Sequence, residues 1–239
     1  LAGRHAEAAR RLEAAVAALP GSVAVKRTLA EILEVGNSVV PHPYMVLKKV
    51  EGDPAEDHPD RLKIIARLGE LAAKINSIRT KGFGATFDWS QNQLSLNDSW
   101  SEYLEGEYRF KEKIGVLEKH KVMDPPKARK LSKIFKDASK LRPTPSLCHG
   151  DLRLKNVLVD DKGKITALLD WEKSTSNLAP HWELSLALHD LGIDGKEAFV
   201  RGYGIKPAEL KEAMPLIRAF NILNYVHDNA DSRANHHNN

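Results

Sequence analysis

An α+β fold, with a small front piece and a large, mainly helical rear lobe, is predicted by three features of this chain. Helix-spaced apolar stripes dominate from Pro59 onward. Ahead of them lie two strand-like runs, Leu29 to Val35 and Tyr44 to Val50, joined by a turn-rich link with Gly36, Asn37, Pro41 and Pro43. Among the helices sits one tight hairpin, Val157 to Val159 and Ile165 to Leu169, closed by Asp160-Asp161-Lys162-Gly163.

The elements follow in order. Ala8, Leu12, Ala15, Val16 and Leu19 recur at helical spacing between Arg4 and Leu19, and Pro20-Gly21 stops that helix. After the two front strands, Gly52-Asp53-Pro54 breaks the pattern and serves as a hinge, which divides the chain into 1–52 and 53–239. Leu62, Ile65, Leu68, Leu71, Ala72, Ile75 and Ile78 form the buried stripe of the next helix. The stretch 80–97, rich in Gly, aromatic and amide residues, reads as a long functional loop. Ser99 with Glu102 is a capping box, and Tyr103, Phe110 and Ile114 continue a helix behind it. Asp124-Pro125 opens another, with Ala128, Leu131, Ile134, Phe135 and Ala138 inward, because an Asp cap and a first-turn proline suit its orphan amides. Leu147-Cys148 is a short strand, Asp194 with Glu197 marks a helix start, and Pro207 to about Val226 forms the last long helix. Neither an internal repeat nor a heptad pattern is present, and the tail Asn235 to Asn239 is expected to be disordered.

Composition narrows the function classes. A hydrophobic share of 42% in 239 residues is ample for a core. Its longest apolar runs are only a few residues, which excludes a membrane partner held by a spanning helix. A single cysteine, Cys148, excludes an intrachain disulfide framework and predicts a cytoplasmic, reducing compartment. Lys+Arg outnumber Asp+Glu by 36 to 32, and the basic residues alternate with acidic ones along helices, as on solvated faces. Nucleic acid is therefore not expected as a partner; a monomer or homodimer acting on a small molecule is.

The most specific stretch is H-G-D-L-R-L-K-N at 149–156, followed by L-L-D-W-E ending at Glu172. Asn156 immediately precedes one strand of the hairpin, and Asp170 ends the other, fourteen residues on. In an antiparallel pair the start of one strand lies beside the end of the next, so Asn156 and Asp170 converge. Two oxygen donors without Cys or His beside them suit a hard cation such as Mg²⁺, which keeps waters and takes further ligands from phosphates. Asp151 sits at the mouth, placed to accept the proton of an attacking hydroxyl. Arg153 and Lys155 either add positive charge near a transferring phosphoryl group or belong to a solvated loop. Gly150 lets the backbone turn beside the Asp. His149 reads as an orienting residue that hydrogen-bonds loop backbone rather than as a second base.

With those residues in view, the segment resembles the catalytic core of the aminoglycoside phosphotransferase family, small-molecule kinases with a bilobal, protein-kinase-like fold. The resemblance implies ATP and Mg²⁺ as cofactors and a small-molecule hydroxyl as acceptor. Asp151 takes the catalytic-base role, flanked by His149 and Arg153, and Asn156 and Asp170 take the metal-binding roles. P-Y-M-V-L-K-K-V-E-G at 43–52 looks like the last front-lobe strand and hinge, and puts Lys49 among the cofactor-binding candidates. L-G-E-L-A-A-K-I-N at 68–76 is similar to the helix that usually ends in a small-His pattern, with Asn76 where His is common. G-F-G at 82–84 and W-S-E-Y-L at 100–104 fit as well. The chain departs from the family at Arg153, where His is frequent, and at A-P-H-W-E-L (179–184), where a pattern ending in Asp-Leu is usual. Glu183 either stands in for that Asp by bracing the loop or is a helix-face residue.

A kinase of this fold grips ATP with a glycine-rich hairpin and a strand lysine paired to a helix glutamate. Here the first helix, with Glu7 or Glu13 as that glutamate, starts within a few residues of Leu1, and Lys26 follows it without a preceding G-x-G-x-x-G. The N-terminal lobe is thus expected to be incomplete and upstream residues to be missing. A longer form should be active, and residues 1–239 alone nearly inert. A non-catalytic kinase-like binding protein is the alternative. Glu172, Glu183, Asp190, Asp228 and Asp231 are candidates for an acidic wall that receives an amine-bearing acceptor. Trp89, Trp100, Trp171, Trp182, Tyr203 and Tyr225 either stack on a sugar or pack in the core.

Overall fold

The structure, a computed structural model, describes residues 32–36, 44–47, 50–85 and 97–226. The expected helix at 4–19 with Glu7 and Glu13, together with Lys26, Lys49, Trp89, Asp228, Asp231 and the tail, lies outside the described residues. In chain order the elements are β1 (Ile32–Gly36), β2 (Tyr44–Leu47), β3 (Asp53–Pro54), α1 (Arg61–Asn76), β4 (Gly84–Ala85), α2 (Phe110–Lys119), α3 (Pro125–Ala138), β5 (Ser146–Cys148), β6 (Val157–Val159), β7 (Ile165–Leu168), β8 (Thr175–Asn177), α4 (His181–Ala187), α5 (Ile193–Tyr203) and α6 (Pro207–Leu223). They fall into two units. One holds the described residues up to Ile64 together with Arg153–Asp170, and the other holds Ile65–Leu152 and those from Trp171 on.

In the first unit β1 and β2 pair antiparallel, with Ile32 opposite Leu47 and Gly36 opposite Tyr44. A separate three-stranded sheet has the order β3-β6-β7. Its β3 corrects the sequence reading, because Asp53 and Pro54 do not simply break the chain but pair with Val159 and Leu158. Pro54 is tolerated there because β3 is an edge strand. Gly52 makes the approach possible: its φ is 140°, and a Cβ there would lie 2.7 Å from Thr166 Oγ1 and 2.8 Å from the Val159 carbonyl oxygen. The β6–β7 turn forms as the D-D-K-G sequence predicts. Asp160 accepts backbone N–H bonds from Lys162 at 3.0 Å and Lys164 at 2.9 Å, and Gly163 turns with φ 67°.

The second unit is built around helices. Ser99 and Glu102 form the expected capping box around the helical turn Trp100–Glu102, and Asp124 caps α3 by accepting from the Lys127 N–H at 2.9 Å. The helix expected to run unbroken from Tyr103 to Ile114 does not. A π-helical turn covers Tyr103–Glu107, and α2 starts afresh at Phe110 behind Arg109, whose φ is 56°. The cause is packing: two residues apart on one helix, Tyr108 and Phe110 would point to nearly opposite sides. The break lets both enter one aromatic core. Phe110 stacks on Phe135 at 5.2 Å, while Phe135 and Tyr108 meet Phe220 edge-on at 5.4 and 5.3 Å. Trp100 belongs to this core and the partly buried Trp182 packs against it, so both are packing residues.

Two further expectations are corrected. On α1, Leu62 is 48% exposed and Ile64 is buried in its place. The cap of α5 is Gly192, which puts Asp194 inside the first turn. β8, which the sequence does not signal, forms the centre of a third sheet, β4-β8-β5, from strands of two or three residues that show no alternation to read. None of the described helices is long and apolar enough to cross a membrane.

Candidate active site

In the first unit, a 3-10 turn at Leu154–Asn156 delivers Asn156 to the start of β6. Val157 pairs with Leu168, and the Leu169 N–H donates to the Asn156 carbonyl oxygen at 2.7 Å. Asn156 and Asp170 are thereby brought to the same end of the hairpin. Asn156 is buried, whereas Asp170 is exposed and has a φ of 64°, a left-handed conformation that Asp tolerates better than most residues. Arg153 is half-buried beside this turn, and Lys155 is exposed. Among the described residues no group of three His, Cys, Asp or Glu side chains could hold a metal alone. The donor set instead fits Mg²⁺, which needs few protein oxygens and accepts water and phosphate for the rest.

In the second unit, β5 feeds directly into His149, Gly150 and Asp151. The Asp151 N–H donates to His149 Nδ1 at 3.2 Å, so this imidazole nitrogen is occupied as an acceptor from loop backbone. The His149 ring lies 4.5 Å from that of Trp171. Gly150 has φ 82°, and a Cβ on it would sit 2.3 Å from the Lys173 carbonyl oxygen, so both conformation and space demand glycine. Asp151 is only 6% exposed, and its carboxylate lies 3.7 Å from the Lys173 ammonium. Sequence reading passed over Lys173; no local pattern marks it, since the chain returns to Asp151 only after the hairpin.

The role of Glu183 was open in sequence, and the fold settles it as a loop brace. From α4 its carboxylate accepts the His149 N–H at 2.6 Å and the Gly150 N–H at 3.2 Å, with the Asn76 amide at 3.4 Å. Complete burial pushes its pKa up to about 7, against the pull of these donors, with the Asp151 charge adding to the rise. Glu183 therefore cannot belong to an acidic wall for an amine, while Glu172 and Asp190 are exposed. Burial also pushes the Cys148 thiol well up, with the Glu183 charge adding to it, which makes this cysteine a poor nucleophile. Tyr203 donates to the Asn76 side-chain oxygen at 2.8 Å, and Tyr225 packs on His189 at 4.4 Å.

A kinase-like α+β scaffold carrying an H-G-D loop and an Asn/Asp hairpin defines a class: phosphotransferases whose acceptor is an alcohol group. Residues 2–219 match the model of the phosphotransferase enzyme family (APH), and the chain belongs to that family. Among solved structures it is similar to a thermostable mutant of the aminoglycoside phosphotransferase APH(4)-Ia, in ternary complex with AMP-PNP and hygromycin B. That likeness has 20% identity and a TM-score of 0.60, and covers 93% of this chain and 75% of the other. The macrolide 2'-phosphotransferase MphH from Brachybacterium faecium is similar at 15% identity and TM-score 0.57, covering 98% and 76%. The GDP and kanamycin complex of APH(2")-IIia is similar at 15% identity and TM-score 0.57, covering 95% and 77%. At these identities the structural likeness is one of fold. No curated protein matches the chain.

Proposed function

We propose that this protein transfers the γ-phosphate of ATP to a hydroxyl of a small, polar molecule, with Asp151 as the base. The carrying observation is the clamp on the H-G-D loop: Glu183 holds the backbone on the two residues before Asp151, and His149 holds Asp151's own N–H. A carboxylate so fixed is suited to aligning a hydroxyl, and alignment with charge neutralisation is most of what phosphoryl transfer requires. The acceptor O–H gives its proton to Asp151 as the oxygen forms its bond to the γ-phosphorus. The bond to the β,γ-bridging oxygen breaks, and its electron pair leaves with ADP.

Asn156 and Asp170 would hold Mg²⁺, which supplies positive charge to the phosphates when bound. Arg153 and Lys49 are proposed to add to that charge, and Lys173 places an ammonium beside the base. The named neighbours carry AMP-PNP with hygromycin B or GDP with kanamycin, and one is named for macrolides. An acceptor bearing amino-sugars or several hydroxyls is the reading these support.

The test is transfer of labelled γ-phosphate by the full-length protein, with Mg²⁺ and ATP or GTP, to a panel of aminoglycosides, amino alcohols and simple sugars. Labelled product from at least one acceptor is expected. Asp151→Asn should then lower kcat by about 10²–10⁴-fold, the range of general-base catalysis, with an unchanged thermal midpoint. Full turnover in that variant would remove Asp151 from the mechanism. Nucleotide binding without transfer to any acceptor would make the protein a non-catalytic binding member of the family.

A further inference from the structure

We propose that Asn76, Glu183 and Tyr203 form one positioning unit for Asp151, in which the Asn76 amide and the Glu183 carboxylate are matched to each other in length. Its kinetic consequences rest on the kinase reading above. Its structural basis does not. Asn76 ends α1, Glu183 lies on α4 and Tyr203 ends α5, so three helices meet behind the H-G-D loop.

The geometry dictates how the buried Asn76 amide is used. Leu147 offers a backbone carbonyl at 2.9 Å and Glu183 a carboxylate oxygen at 3.4 Å, and both are acceptors. The NH₂ must face them, and the amide oxygen is left for the Tyr203 hydroxyl at 2.8 Å. Tyr203 thus sets the orientation of Asn76, Asn76 supports Glu183, and Glu183 holds the N–H groups of His149 and Gly150. Glutamate reaches one methylene further than aspartate, and asparagine is shorter than histidine. Since the two side chains touch, a shorter residue at 183 and a longer one at 76 would compensate in length.

Tyr203 reaches Asn76 because α1 and α5 touch backbone to backbone. A Cβ on Gly202 would sit 1.8 Å from the Ala66 carbonyl oxygen, and one on Gly69 would sit 2.2 Å from that of Phe199. The groups that face Glu183 are Cys148 on β5, His149 and Asp151 in the loop, and Tyr203 on α5. Cys148 and Tyr203 are both pushed up, chiefly by burial, so neither brings a charge at neutral pH.

In the full-length protein, Glu183→Asp and Asn76→His should each lower kcat at least about 10-fold, a barrier increase of about 1.4 kcal/mol, with KM for ATP and acceptor within about twofold. The double variant should recover to within about threefold of the parent, as expected of directly coupled residues. Tyr203→Phe should lower kcat about 3- to 10-fold, again with KM unchanged, and carries the kinetic test if a single variant fails to fold. A double variant whose loss is the product of the two single losses, or an unaltered kcat in Tyr203→Phe, overturns the proposal. Should the parent transfer phosphate to no acceptor, the kinase reading fails on its own, and the network is then read by ¹³C-NMR titration of the Glu183 carboxyl. Asn76→Ala removes a donor to that carboxylate and should move the midpoint up from about 7; an unmoved midpoint overturns the positioning unit.

Discussion

Replacing Glu183 by Gln should change how stability depends on pH. Two effects compete at this carboxyl: burial favours the neutral acid, and N–H donors from His149, Gly150 and Asn76 favour the ion. Burial wins, and the pKa rises from an ordinary 4.5 to about 7. A folded-state pKa above the unfolded value gives stability that is fully present below about 4.5 and is lost as pH rises through about 7. The rise corresponds to about 3 kcal/mol, and complete burial leaves no solvent screening to discount. Glutamine has nearly the shape of the neutral acid but turns an NH₂ toward backbone donors, at a cost of about 1–3 kcal/mol. Urea unfolding followed by tryptophan fluorescence at pH 5, 6, 7 and 8 measures both, since Trp100, Trp171 and Trp182 lie in the unit that holds Glu183. Glu183→Gln should be less stable than the parent at pH 5, and the difference should move in its favour by about 2.5 kcal/mol by pH 8, enough to cancel or reverse it. A gap independent of pH would refute the raised pKa. A gap that widens with pH would show that the donors, not burial, control this carboxyl.

Other outcomes follow from the same geometry. Gly150→Ala should cost about 1–2 kcal/mol from its left-handed conformation alone, and more from the Lys173 carbonyl, measured by urea unfolding together with a loss of kcat. Phe220→Ala should remove about 3–5 kcal/mol, because Phe220 contacts Trp100, Tyr108, Phe135 and Trp182 in the core; a smaller loss would mean the cavity collapses. Asp170→Asn should raise the Mg²⁺ concentration needed for half-maximal transfer at least tenfold, a difference of about 1.4 kcal/mol, while leaving the urea midpoint in place because the side chain is exposed and asparagine tolerates the left-handed conformation as aspartate does.

Local chemistry was legible wherever its partners are close in sequence. The Ser99/Glu102 box, the Asp124 cap and the Asp160–Gly163 turn each close within a few residues, so composition and spacing suffice. The stripe on α3 was readable too, because a 3.6-residue period repeats over 14 residues. What escaped was either too short to carry a period, as with β3, β4 and β8, or was set by competition for a distant core. The break at Arg109 belongs to the second kind: nothing local forbids a helix there, and only the aromatic cluster rewards turning both Tyr108 and Phe110 inward.

The same division runs through the candidate site. The chemistry on offer could be read from the chain alone: an H-G-D loop with Asn156 and Asp170 at matched ends of a hairpin, because hairpin register follows from a short turn between two apolar runs. What holds that loop emerges only when distant segments pack together. Lys173 is 22 residues from Asp151, Glu183 is 34 from His149, and Tyr203 is 127 from Asn76. Contacts at such separations are made by helix packing and by the elimination of unsatisfied polar groups from the interior. Neither leaves a period or a motif in the chain.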